Sequence, residues 1–160
     1  GPELRRAEAA QRLLELVDAR LIGRWRRHVG AGAGAHGHVE AVGERPDLAR
    51  EAARQLQAYL ADPDFVFTLP LRPSGTAFQR RVREQISAIP THQTRTYGEL
   101  AKALHNAPRA VGQACGANPF PLVVPCHRVI AAGGGLGGFA RQRGGFLLDV
   151  KRWLLAHEGH

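Results

Sequence analysis

The sequence predicts an α/β protein in two parts. A small N-terminal α/β domain covers residues 1–70, and a mainly helical C-terminal domain with a helix-turn-helix variant covers residues 71–160. Three observations lead there. Apolar residues recur at helical spacing in several separate stretches. The run Pro70-Leu71-Arg72-Pro73-Ser74-Gly75 interrupts the pattern in the middle of the chain. Two short helical stretches joined by a tight turn follow it. A chain of 160 residues suits one domain or two small ones, and 44% hydrophobic residues can fill a core.

Taken in order, residues 3–18 read as a helix, with Leu4, Ala7, Leu14 and Val17 apart from Arg5, Glu8, Arg12 and Glu15. Residues 20–27 carry a weak strand signal. Residues 30–38 are glycine, alanine and histidine with no capacity to build a core. His28, His36 and His38 lack an acidic or thiol ligand nearby, so a flexible loop is expected there rather than a metal site. Pro46 opens a helix to about Leu60, with Leu48, Ala52, Leu56 and Tyr59 on one face. Phe65-Val66-Phe67 reads as a short strand.

Beyond the break, Thr76 and Gln79 fit a capping box. Phe78, Val82, Ile86 and Ile89 mark the buried face of the helix that follows, and Pro90 stops it. Thr96 and Glu99 fit a second capping box, opening a short helix through Leu104. Asn106-Ala107-Pro108 is a tight turn, and another short helix runs from Pro108 to about Ala117. That last helix holds Gly112 and Gly116. Each glycine costs about 1 kcal/mol relative to alanine inside a helix. Small outward residues allow close approach, by a DNA backbone or by a neighbouring helix. Arg109 is the one long cation at the start of this smooth helix. It can pair with a carboxylate or phosphate, or enter a base stack in place of an extruded base.

Lys and Arg outnumber Asp and Glu by 22 to 14, a net charge of +8. That balance favours anionic partners, nucleic acid being the commonest, although an arginine-rich composition also follows from a GC-rich genome. The two cysteines, Cys115 and Cys126, are too few for a disulfide framework or a four-cysteine zinc site. No apolar run approaches the ~20 residues that span a bilayer, and no signal peptide is evident, so a cytoplasmic protein is expected. Pro125-Cys126-His127-Arg128-Val129-Ile130 follows the apolar Leu122-Val123-Val124. Neighbouring cations can stabilise a thiolate, the nucleophilic form of cysteine. A buried, inert cysteine is the alternative.

Pro-Cys-His-Arg-Val-Ile, preceded by Arg109-Ala110-Val111-Gly112 and Asn118-Pro119, resembles the 6-O-alkylguanine-DNA alkyltransferase family, also called methylated-DNA–protein-cysteine methyltransferases. Phe78-Gln79, Tyr97-Gly98-Glu99-Leu100-Ala101 and Trp153-Leu154-Leu155-Ala156-His157-Glu158 fit in the same order, so the resemblance covers roughly residues 69–160. It implies a winged-helix-like helix-turn-helix and a single-turnover enzyme without cofactor. The expected substrate is double-stranded DNA containing 6-O-alkylguanine, met by a monomer.

The resemblance also assigns residues. Cys126 is the expected alkyl acceptor. His127 takes the thiol proton through a water, oriented by Glu158. Asn118 braces the cysteine turn, and Tyr97 protonates the departing guanine. Arg109 fills the space of the flipped nucleotide. Ala110, Gly112, Thr76, Gln79, Arg128 and Tyr97 are expected to meet DNA, and Val129, Pro121, Gly138 and Phe139 to line the substrate pocket.

The chain departs from this pattern in three places. It has no cysteine before Cys115, so the N-terminal zinc site of some relatives is not expected. Its N-terminal part reads as helix where the family normally begins with strands. Residues 140–146 read as longer than the usual pocket-wall turn. Two other functions fit parts of the sequence. One is a module that binds alkylated DNA and recruits repair factors without chemistry. The other is a thiol hydrolase using Cys126 and His127.

Overall fold

The computed structural model describes residues 46–71, 74–137 and 146–160. The expected helix at 3–18, strand at 20–27 and loop at 30–38 lie outside them, as do Gly138, Phe139 and residues 140–145. The chain divides between Ser74 and Gly75 into two compact units.

In the N-terminal unit, α1 runs Pro46–Ala61. It starts at the proline because that residue's missing N–H is not needed in the first turn. Ala52, Gln55, Leu56 and Tyr59 are its buried face. The segment Phe65-Val66-Phe67 is not a strand. Side chains hold it instead of a ladder. Phe67 packs on Tyr59 with ring centroids 5.5 Å apart and edge-on against Phe65 at 5.7 Å. Gln55 Nε2 donates to Thr68 Oγ1 at 3.0 Å, and Thr68 N returns a bond to Gln55 Oε1 at 2.9 Å.

The C-terminal unit begins with α2 (Ala77–Ser87). Its capping box is complete: Gln79 N donates to Thr76 Oγ1 at 3.1 Å and Thr76 N donates to Gln79 Oε1 at 3.0 Å. Val82, Ile86 and Ile89 enter the core, while Phe78 is only half-buried. Strand β1 (Arg95–Thr96) pairs in parallel with β2 (Val129–Ile130), in the register Arg95 with Val129 and Thr96 with Ile130. Thr96 then caps α3 (Tyr97–Ala103), accepting from Glu99 N at 3.0 Å. Glu99 in its first turn and Lys102 in its last complement the helix dipole.

Leu104 ends α3. His105 turns the chain at φ 52°, and Asn106 Oδ1 accepts from Ala107 N at 2.8 Å. Helix α4 (Pro108–Gly116) follows, packed on α3 and α2. The last helix, α5 (Phe146–His157), packs on a short 3₁₀ turn at Cys126–Arg128. The core gathers Val82, Ile86, Leu100, Val111, Leu122, Val129 and Leu154 from all of these elements. Among the described residues no helix is long and apolar enough to cross a membrane.

Candidate active site

The turn that carries Cys126 is built by three backbone bonds. Val124 N donates to Phe120 O at 2.9 Å, Cys126 N to Val124 O at 2.8 Å and Arg128 N to Pro125 O at 3.0 Å. The middle bond closes an inverse γ-turn over Pro125, whose φ of −80° and ψ of 64° suit it. Asn118 braces the turn from within the core. Its Nδ2 donates to Val124 O at 3.0 Å, and its Oδ1 accepts from Phe120 N at 3.0 Å.

Cys126 is 6% exposed. Burial pushes its thiol above the ordinary cysteine value, and hydrogen bonding from Asn118 and the charge of Lys151 only partly oppose this. The sulfur therefore rests as a thiol. Of the two readings the sequence leaves open, a thiolate stabilised by adjacent cations and a buried cysteine, burial favours the second, so a reaction at this sulfur would need a base to take its proton.

His127 is suited to be that base. It is fully buried, with Nε2 2.7 Å from Glu158 Oε2. A carboxylate only accepts, so Nε2 carries the proton and Nδ1 carries the lone pair. Nδ1 is buried and has no hydrogen-bond partner among the described residues. Burial lowers the His127 pKa by more than Glu158 raises it, leaving a neutral imidazole.

Glu158, also fully buried, holds more than His127. Arg128 Nε donates to its Oε1 at 2.7 Å and Arg128 Nη2 to its Oε2 at 3.0 Å. The same guanidinium reaches Ile89 O at 2.8 Å and Thr91 Oγ1 at 3.2 Å. Arg128, expected to meet DNA, is thus turned inward, with its side chain only 12% exposed. Four hydrogen bonds, three of them to acceptors on buried residues, outcompete a solvent-facing position.

Across β2, Lys151 Nζ donates to Val129 O and to Leu136 O, each at 2.6 Å, and lies 5.7 Å from the centroid of the Tyr97 ring. Burial lowers its pKa to about 8. Gly137 lies against the same ring. A Cβ there would stand 2.8 Å from Tyr97 Cε2, and φ is +69°, so glycine is required twice over. Val129 and Pro121 are buried, while Gly138 and Phe139 fall outside the described residues. Lys151 was not expected from the sequence. The available signal was its place on the apolar face of α5, in step with Leu148, Leu154 and Leu155.

The remaining expected residues are exposed or half-buried. Arg109 is exposed in the first turn of α4, and Ala110 and Gly112 are half-buried. A Cβ at Gly112 would meet nothing within 4 Å, so among the described residues no neighbouring helix packs on it. Thr76 and Gln79 commit their side chains to each other's backbone in the capping box. Among the described residues no three His, Cys, Asp or Glu side chains gather as metal ligands.

Residues 77–160 match the DNA-binding domain of the 6-O-methylguanine DNA methyltransferases, which places the C-terminal unit in a class of DNA-repair transferases. The methylated-DNA–protein-cysteine methyltransferase of Methanosarcina acetivorans is 48% identical over 118 residues, 72% of this chain and 72% of the relative. The constitutive enzyme of that name from Bacillus subtilis is 43% identical over 114 residues, 68% of each chain. A crystal structure of the Mycobacterium tuberculosis O6-methylguanine methyltransferase superposes with a TM-score of 0.61 at 43% identity, over 69% of this chain and 65% of that one. The structure of Mycobacterium tuberculosis OGT in complex with DNA gives 0.62 at 42%, over 69% and 66%. The chain belongs to the methylated-DNA–protein-cysteine methyltransferase family, enzymes of direct-reversal DNA repair.

Proposed function

We propose that this chain removes an alkyl group from the 6-oxygen of guanine in double-stranded DNA and keeps it on Cys126. The observation that carries the reading is the buried His127–Glu158 pair, which leaves one buried imidazole nitrogen without a hydrogen-bond partner among the described residues, on the residue next to the cysteine in sequence. A neutral thiol and a neutral imidazole are the starting states that such a pair needs.

His127 Nδ1 accepts the thiol proton through a water, and Glu158 stabilises the imidazolium that forms. The sulfur attacks the alkyl carbon in line. A carbon–sulfur bond forms as the carbon–oxygen bond breaks, and the electron pair leaves on the guanine. The Tyr97 hydroxyl supplies a proton to that base. The product is a thioether, which water does not cleave, so each molecule acts once.

The 6-oxygen lies on the Watson–Crick edge, so the nucleotide must leave the stack. Arg109 enters the gap. We assign α3, its turn and α4 to a winged-helix-like helix-turn-helix, with Ala110 and the open face at Gly112 letting the nucleic acid approach α4 closely. The protein acts as a monomer. The test is incubation with duplex containing 6-O-methylguanine, followed by digestion and mass spectrometry. One methyl group on the Cys126 peptide and none on Cys126→Ala is expected. An unmodified Cys126 peptide overturns the reading.

A further inference from the structure

The turn after α2 makes two contacts to the arginine that holds Glu158 and one to Glu158 itself. Ile89 O and Thr91 Oγ1 accept from the Arg128 guanidinium. His92 Nδ1 donates to the backbone carbonyl of Glu158. Two further features mark this last contact. His92 holds φ 72°, a left-handed conformation disfavoured for a residue with a side chain. Glu158 is the C-cap of α5. Gly159, at φ +91°, donates to Ala156 O at 3.1 Å, and His160 N donates to Leu155 O at 2.9 Å. This is a Schellman ending, in which the carbonyl of the C-cap itself has no intrahelical donor. His92 fills that role.

We propose that His92 is a positioning residue for the His127–Glu158 pair. Arg128 fixes the Glu158 carboxylate, and His92 fixes the Glu158 backbone. Together they leave the carboxylate one orientation toward His127 Nε2. The unfavourable φ persists because it aims the imidazole at the end of α5. Gly159 leaves room for it, since a Cβ there would lie 3.3 Å from His92 Nδ1. The proposal rests on the reading of His127 as the base that activates Cys126.

Two variants of the full chain test it, His92→Gly and His92→Asn. Glycine takes φ 72° freely but has no donor. Asparagine tolerates the same φ, and its amide reaches the position of Nδ1. Three readouts are taken: single-turnover methyl transfer from duplex containing 6-O-methylguanine, thermal unfolding, and NMR exchange of the His127 Nε2 proton with solvent. His92→Gly is expected to unfold at the parent's temperature or above it. It should transfer about tenfold more slowly, as loosened supports of reacting groups do, and exchange the His127 proton faster. His92→Asn should recover most of both losses. Transfer and proton exchange in His92→Gly equal to the parent's would overturn the proposal, as would a His92→Asn variant no better than glycine. If the parent itself leaves Cys126 unmethylated, the reading of Cys126 falls, and the exchange comparison still decides what His92 does.

Discussion

Replacing Glu158 by Gln removes a negative charge at the point where Arg128 and His127 converge. The carboxylate accepts from Arg128 Nε at 2.7 Å, Arg128 Nη2 at 3.0 Å and His127 Nε2 at 2.7 Å, all from groups that carry no lone pair to give back. Glutamine keeps one oxygen. Its amide nitrogen must face either the guanidinium or the imidazole N–H, donor against donor. An exposed ion pair is worth about 0–1 kcal/mol. Here the glutamate is fully buried and the arginine side chain 12% exposed, so the loss belongs with broken buried pairs, about 3–5 kcal/mol. That is a large part of a typical total of about 5–15 kcal/mol. Urea denaturation at neutral pH measures it. A double-mutant cycle with Arg128→Met should show coupling of about 2 kcal/mol, because the second change removes the cation that the first leaves stranded. A loss below about 1 kcal/mol, or additive single effects, would refute the claim that the two residues form one buried unit.

Three other expectations concern the chemistry and the DNA. The His127 pKa lies below its ordinary 6.5, so the unfolded chain takes up this proton first as pH falls. The stability owed to neutral His127 is whole above pH 6.5 and lost as pH falls through the folded value. The transfer rate should likewise hold down to pH 6.5 and decline only below it, and a rate profile with its inflection above 6.5 would contradict a neutral buried base. Gly137→Ala places a Cβ 2.8 Å from the Tyr97 ring at φ +69° and should cost about 1–3 kcal/mol while slowing transfer, by chemical denaturation and by labelled-methyl assay. Wild-type stability and rate would mean that Tyr97 is not held by this loop. Arg109→Ala should slow transfer from duplex far more than from the free alkylated base, and equal losses on both substrates would exclude a role in extrusion.

The sequence exposes what is decided within a few residues. Thr76 and Gln79 announce the start of α2, and Pro108 the start of α4, because a cap or an N-terminal proline acts inside one turn. The full box read at Thr96 and Glu99 is realised as the single bond from Glu99 N. Contacts between distant segments are hidden. The β1–β2 pairing involves two residues from each strand, too short for any alternating pattern. Phe65-Val66-Phe67 carries strand-forming residues, yet Tyr59 and Gln55 claim the segment through side chains. At the site, Cys126, His127 and Glu158 are legible through their resemblance to a family. The fate of Arg128 is not, because no local pattern reveals that Ile89, Thr91 and Glu158 converge on its guanidinium. Lys151 and His92 escape for the same reason, and His92 more completely, since nothing beside it in the chain hints at a left-handed turn.

The bare surface of α4 has its own consequence. Of its side chains left in the open, only Arg109 and Gln113 carry hydrogen-bonding groups. Helices that spell out a base sequence use three or four such side chains. With α4 meeting DNA as proposed, a helix this blank has almost no vocabulary, so the protein would inspect every stretch of a genome on equal terms, and the damaged base would betray itself by how easily it leaves its neighbours.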